Sequence, residues 1–241
     1  VGDAVFGQFL PDGVLDGVGV GIGDDVHRGI VMVTVQTPNV DVVDIGEIYE
    51  AYGNPPEYSS TIDNHYSLTG AYVAYQAIVE EINATTEFGL KLPENITFHA
   101  LENSYLGSRP RKLFNMYGNE EHLLWADFGE NIPFTRRDNG MDVPATVYAM
   151  PENTEEPVLY GFYMGGDIAE TIIDTNRPHL PKVLIYGDSF TNALESLAYY
   201  SFDEMRSLDF RYYSEKTLEA LARMSAPTAK VRRDQKEIEI P

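Results

Sequence analysis

The 241-residue chain contains no cysteine, which excludes disulfides, thiolate catalysis and cysteine-based zinc sites. It is also poor in cations, with 17 Lys and Arg against 38 Asp and Glu and a formal charge of −21. Phosphate contacts need clustered Lys and Arg, so nucleic acid is excluded as a partner. The excess acid reads as a solvated surface that aids solubility. No run of about 18 apolar residues occurs, so no membrane span is expected. No signal-peptide pattern or anchor is present, but Val1 is an unusual first residue and points to a trimmed or partial sequence. Gly17, Gly19, Gly21 and Gly23 alternate with apolar residues, yet the G-x-G-x-x-G spacing of a phosphate loop fails. The stretch Asp138-Asn-Gly-Met-Asp142 lacks the later ligands of a calcium loop and reads as a solvent turn. Neither a metal nor a cofactor is implied.

What is present is a globular composition, 43% apolar and 12% aromatic, with enough length for one α/β domain or two small ones. Residues 30–35 and 40–45 read as short strands and 45–52 as a short helix, stopped by Pro55-Pro56. Leu68, Ala71, Tyr72, Tyr75, Ile78, Val79 and Ile82 follow helical spacing, and Ser67 stands where a cap belongs. Asn83-Ala-Thr85 and Asn95-Ile-Thr97 match the glycan-acceptor pattern, a match common by chance. Residues 93–160 read as an inserted, irregular β-rich segment with β-like runs at 96–100 and 146–150. A short helix is expected over 167–174, a helix over 191–200, a strand over 205–210 and a helix over 215–224 capped by Ser214. An apolar strand is expected near the C-terminus, where 230–241 is instead strongly charged.

Two stretches carry chemistry. Lys182-Val-Leu-Ile-Tyr-Gly-Asp-Ser-Phe190 is an apolar run ending in a turn and followed by a helical pattern. That setting exposes a serine hydroxyl above a sheet, with Asp188 bracing the turn. Serine is a poor nucleophile without a base held by a third group. Asp63 and His65, at i and i+2 on the extended entry to the 68–82 helix, project to one side and can supply both. The other histidines, His27, His99, His122 and His179, have no comparable context and read as structural or solvent-facing. Each motif alone is commonplace; the combination points to Ser-His-Asp chemistry.

The stretch Thr61-Ile-Asp63-Asn-His65-Tyr66-Ser67-Leu-Thr-Gly70-Ala71-Tyr72 resembles the signature of the bacterial DHHW proteins, relatives of the SGNH-like domains of alginate O-acetyltransferases. The resemblance continues in Tyr105-Leu-Gly107-Ser108, in Tyr160-Gly-Phe-Tyr-Met-Gly165-Gly166-Asp167, in residues 183–190 and in Leu208-Asp-Phe-Arg211-Tyr212. It spans roughly residues 58–225. Asn64 replaces the first family histidine and Tyr66 the tryptophan, and the charged C-terminus also departs from the pattern.

The resemblance implies a single SGNH-hydrolase-like (flavodoxin-like) α/β domain, a three-layer αβα sandwich with a mostly parallel sheet and a circularly permuted motif order. Carried over residue by residue, it implies Ser189 as nucleophile, His65 as general base and Asp63 as its orienting acid. Arg211, Gly165 and Gly166 are candidates for oxyanion or substrate contacts. Arg211 reads equally well as a structural salt bridge, and Ser108 as a cleft residue or a plain turn. Tyr66 keeps an aromatic beside the site. Tyr66, Tyr72, Tyr160 and Tyr163 read as sugar-stacking rings or as core. The implied activity is acetyl transfer to an extracellular or cell-surface polysaccharide through an acyl-serine, with a membrane-bound donor partner. The rival readings are a carbohydrate esterase and a non-catalytic glycan-binding scaffold.

Overall fold

The computed structural model describes residues 3–4, 43–114, 121–214, 217 and 229–234. The strands are β1 Asp3–Ala4, β2 Thr97–Ala100, β3 Leu124–Asp127, β4 Thr135–Asp138, β5 Met141–Val143, β6 Glu170–Asp174, β7 Val183–Gly187, β8 Glu204–Asp209 and β9 Ala229–Asp234. The α-helices are α1 Ile45–Ala51, α2 Leu68–Thr85, α3 Ser108–Lys112 and α4 Asn192–Ala198. The main sheet runs β1-β9-β7-β8-β6-β4-β5, and β2 and β3 form a separate antiparallel ribbon.

The sheet is parallel only at its centre. Strand β7 pairs in parallel with β8 on one side and β9 on the other. The flanking pairs β1–β9, β8–β6, β6–β4 and β4–β5 are antiparallel. The expectation of a mostly parallel sheet is corrected to a mixed one. The 93–160 stretch supplies much of the difference: it forms the β2–β3 ribbon and also adds the β4–β5 hairpin to one edge. Asn139 and Gly140, both at positive φ, make that hairpin's turn, in agreement with the solvent turn read there.

Side-chain parity along the central strands separates two buried faces. Val183 and Ile185 join Met205 and Ile173 in one core with the helices, whereas Leu184 and Leu208, one residue out of phase, are buried outside that cluster. Both faces of the central strands are therefore covered. The helix expected over 215–224 lies outside the described residues apart from Thr217, whose N–H donates to the Ser214 hydroxyl at 3.3 Å. The strand expected over 30–35 and most of the glycine-rich opening also lie outside them, as do residues 40–42 of the expected 40–45 strand; of its described half, Asp44 caps α1 and Ile45 begins it.

Helix α2 buries Leu68, Ala71, Tyr75, Ile78, Val79 and Ile82 of the stripe that its spacing predicts, leaves Tyr72 half-buried, buries Ala74 in addition, and packs on α4. Its start is tightly specified. The Ser67 hydroxyl accepts the Gly70 N–H at 3.1 Å, and Gly70 lies against the carbonyl of Tyr58. Its far end is closed by Asn83, whose amide donates to Leu90 O at 2.9 Å and accepts Leu90 N–H at 2.7 Å. Every residue of α4 is buried, Glu195 included. Thr191 and Ser207 donate their hydroxyls to Glu195 Oε1. Burial pushes the Glu195 carboxyl up, and these hydrogen bonds and the charge of Arg136 only partly offset that rise.

Three local expectations change. Residues 170–174 form strand β6 rather than a helix, because Thr171 and Ile173 alternate into the core and β-branched residues fit a pleated surface. Residues 146–150 do not form a strand. The Thr146 side chain bonds both N–H and C=O of Tyr148, so local side-chain bonding competes with a ladder. Residues 229–234, charged as they are, form the β9 strand beside β7, where only an apolar sequence was expected.

Two predictions follow from this packing. A Cβ at position 70 would stand 2.2 Å from the Tyr58 carbonyl oxygen, so Gly70→Ala is expected to destabilise by about 1–3 kcal/mol despite alanine's better helix propensity. A urea midpoint equal to or above wild type would contradict it. Glu195 binds its proton more tightly folded than unfolded, so its contribution to stability declines as pH rises above the unfolded value of about 4.3. Glu195→Gln is expected to gain on wild type between pH 4.5 and 7.5, read as the difference in urea midpoints at the two pH values.

Candidate active site

Strand β7 ends at Gly187, and the chain turns at Asp188 into a 3-10 turn over Ser189–Thr191 before α4 begins. Asp188 is buried and its carboxylate accepts the Phe190 N–H at 3.0 Å, which braces the turn as its sequence position predicted. Tyr66 is also buried, and its hydroxyl donates to Phe190 O. The turn that carries Ser189 is thus pinned from the strand side and from the entry to α2.

The opposing half of the site is the 60–65 turn. Ser60 Oγ accepts the Ile62 and Asp63 N–H groups at 3.2 and 3.0 Å and donates to Glu121 at 2.7 Å. Glu121 also takes the Thr61 N–H at 2.8 Å and the Thr61 hydroxyl. Asp63 is 1% exposed. Its Oδ1 accepts the Asn64 N–H at 2.7 Å, the His65 N–H at 3.1 Å and His65 Nδ1–H at 2.6 Å, while Oδ2 accepts the Ser108 N–H at 2.6 Å.

His65 Nε2 lies 2.9 Å from Ser189 Oγ. Asp63, His65 and Ser189 therefore stand in one hydrogen-bonded line, 124 residues of sequence separating the histidine from the serine. Because the carboxylate takes the Nδ1 proton, Nε2 is the bare nitrogen and accepts from the serine hydroxyl. Burial alone would push the Asp63 carboxyl up. The hydrogen bond from His65, the ring's charge whenever it is protonated, and the Ser108 N–H overcome it and hold the carboxyl well below the usual carboxylate range. The Tyr105 hydroxyl is near enough to contribute to that lowering, yet it has no hydrogen-bond partner among the described residues.

The remaining candidates divide by role. Ser108 acts through its backbone N–H on Asp63, and its hydroxyl donates to Asn64 Oδ1 at 2.7 Å. Arg211 is committed to carboxylates. Its Nε lies 2.9 Å from Asp209 Oδ1 and its Nη2 2.9 Å from Asp167 Oδ2, with a further contact to Asp209 Oδ2. Its guanidinium proton is held more tightly than usual, chiefly through the bond to Asp209. Of the two readings weighed for it, the salt bridge is the one observed. Gly165 and Gly166 both take positive φ, and the Gly166 N–H is spent on Tyr163 O at 3.1 Å. The Gly166 carbonyl accepts from the Asn192 amide at 3.3 Å, tying this loop to α4.

Tyr66, Tyr160 and Tyr163 are buried and belong to the core, whereas Tyr72 is half-buried and packs edge-on to Phe98. One contributor escaped the sequence reading: Glu121, which holds the 60–61 turn and has no local signal because it meets its partners only through the fold. Tyr160 was read as a sugar-stacking or core ring; its ring lies flat on His65, a contact that no local pattern announces. His122 lies outside any helix or strand, with Nδ1 2.8 Å from Asn103 O. Among the described residues no cluster of His, Asp and Glu is arranged to hold a metal ion, and no helix is long and apolar enough to cross a membrane.

No protein-family model matches the chain, and no curated protein matches it by sequence. Solved structures do match it. A DHHW family protein from Eubacterium siraeum superposes with a TM-score of 0.68 at 17% identity, over 91% of this chain and 78% of the other. Bacillus cereus PatB1 with a sulfonyl adduct superposes with a TM-score of 0.67 at 19% identity, over 81% and 67% respectively. A second PatB1 structure gives 0.64 at 18% identity, over 81% and 69%. The fold is the SGNH-like α/β fold that the sequence resemblance implies.

A Cβ on Gly107 would stand 2.2 Å from the Ile62 carbonyl oxygen, so glycine there lets the Ser108 N–H reach Asp63. Gly107→Ala is expected to displace that N–H and cost about 1–3 kcal/mol of stability. An unchanged urea midpoint would contradict the close approach.

Proposed function

We propose that the protein is a serine-dependent O-acyltransferase of the SGNH-like type, moving an acetyl group onto a hydroxyl of an extracellular or cell-surface polysaccharide. The observation that carries the reading is the continuous line Asp63–His65–Ser189, with 2.6 Å and 2.9 Å contacts. The sequence resemblance to the relatives of alginate O-acetyltransferases supplies the acyl group and the acceptor class. A membrane-bound partner that delivers the acyl donor belongs to the same proposal.

In this mechanism His65 Nε2 takes the Ser189 Oγ proton as Oγ attacks the donor's acyl carbonyl. Asp63 keeps the Nδ1 proton in place and offsets the positive charge that develops on the ring. The tetrahedral oxyanion is stabilised by backbone donors, the Ser189 N–H being the first candidate. Collapse expels the donor's alkoxide, which collects the proton from Nε2 and leaves acyl-Ser189. An acceptor sugar hydroxyl then gives its proton to Nε2, attacks the acyl carbonyl and carries the acyl group away, restoring the serine. Water in the acceptor's place completes an ester hydrolysis. Gly166 is a poor second oxyanion donor, since its N–H already serves Tyr163, and Arg211 is a poor clamp for a substrate because its partners are internal.

The test is acetyl release from p-nitrophenyl acetate and acetyl transfer to candidate polysaccharides. Ser189→Ala is expected to lower either rate by about 10³-fold or more, and Asp63→Asn by about 10²–10⁴-fold. A sulfonyl fluoride is expected to label Ser189, a reagent class prompted by the sulfonyl adduct of PatB1. Labelling elsewhere with Ser189 untouched, or equal rates for wild type and Ser189→Ala, would overturn the assignment. Release of acetate to water with no acetylated polysaccharide would replace transfer by hydrolysis.

A further inference from the structure

The imidazole of His65 is held by aromatic rings as well as at its nitrogens. The Tyr160 ring lies on it with centroids 3.8 Å apart and planes only 7° from parallel. The Phe190 ring approaches at 4.4 Å, tilted by 46°. Tyr160 is 7% exposed, and its hydroxyl is buried without a hydrogen-bond partner among the described residues. Whatever Tyr160 does beside His65 is therefore done by its ring and not by its hydroxyl.

We infer that Tyr160 is a positioning residue for the base. Its π face fixes the plane of the His65 ring and stabilises the imidazolium that forms as Ser189 loses its proton. This inference rests on the proposed role of His65. The physical case has two parts. A base that must meet Asp63 at Nδ1 and Ser189 at Nε2 at once can move very little about χ2, and a parallel ring against one face removes that freedom. When the imidazole gains a proton it becomes a cation over an aromatic face, and the ring quadrupole attracts it most strongly where water is excluded. The groups that touch the ring are Asp63 at Nδ1, Ser189 at Nε2, Tyr160 and Phe190. Asp63 supplies the large charge term, so the stack adds a smaller increment in the same direction.

The sequence 160–166 supports this placement. Tyr160 opens a 3-10 turn, and the chain then passes through Met164, Gly165 and Gly166, all at positive φ. The Gly166 carbonyl is tied to Asn192 in α4 at 3.3 Å. The loop that presents Tyr160 to His65 is therefore anchored to the helix that follows Ser189.

The experiment compares Tyr160→Phe, Tyr160→Leu and replacement of Tyr160 by pentafluorophenylalanine. The fluorinated ring keeps the aromatic shape but reverses the charge pattern of the face. The readouts are the His65 pKa by NMR titration, assigned with His65→Gln, and kcat and KM for p-nitrophenyl acetate. Tyr160→Phe is expected to stay within about threefold of wild type in kcat with the His65 pKa unmoved. Tyr160→Leu and the fluorinated variant are expected to lower the His65 pKa by about half a unit and kcat by roughly tenfold with KM little changed. A loss of thermal stability in Tyr160→Leu with no movement of the His65 pKa in either variant would overturn the inference. So would a loss in Tyr160→Phe as large as in Tyr160→Leu, since the hydroxyl would then be the working group. If Tyr160→Leu does not fold, the fluorinated variant decides alone. Wild-type protein that neither turns over ester nor labels at Ser189 would instead sink the proposed function, and the titration would still report on the stack.

Discussion

A carboxylate taken out of water must be repaid with donors, and Asp63 is the buried carboxylate on which the site turns. Three of its partners come from its own turn: the Asn64 N–H, the His65 N–H and the His65 ring. The fourth, the Ser108 N–H, comes from a segment 45 residues away. That donor is available only because Gly107 has no side chain where it meets the Ile62 carbonyl. With these bonds in place the carboxyl stays ionised, and an ionised carboxyl fixes which nitrogen of His65 carries the proton.

The serine is held as firmly from the other side. Strand β7 sits between two parallel neighbours, so its C-terminal end is set by the centre of the sheet and not by an edge. Asp188 and Tyr66 then fix the turn beyond it, each through a bond to Phe190. Loops that carry reacting groups work best when a rigid scaffold positions them. Here both loops are tied down: the 60–65 turn to the half-buried Glu121 and the entry of α2, the serine turn to α4 and the sheet. Between them the Tyr160 ring lies flat on the imidazole and the Phe190 ring approaches it at a tilt.

Much of the acidic excess remains on the surface, but several acids are structural. Asp209 and Asp167 hold Arg211, Asp138 holds Arg136 with two contacts, and Glu170 holds Arg206. Arg211 stood in the sequence as a candidate for substrate contact, and nothing local could separate that role from an ion pair. The pairing depends on Asp167 and Asp209 arriving from different strands' ends, which is a property of the sheet order. The same holds for Ser108, whose motif was legible but whose working atom is its backbone N–H.

What the sequence by itself determined lies within single turns of chain. The α2 stripe, the Ser67 cap, the apolar run into Ser189 and the i, i+2 spacing of Asp63 and His65 are short-range patterns, set by backbone geometry and side-chain periodicity. Resemblance in motif order extended this to the fold as a whole. Tertiary structure decided the rest. It made 170–174 a strand because a place in the sheet was open between β8 and β4, and it drew the charged 229–234 segment into a strand because β7 offers a parallel ladder. It also brought His65 to Ser189 and laid Tyr160 on His65. Contacts between residues about a hundred positions apart are written in no local pattern; they exist only once the sheet and α2 share one core.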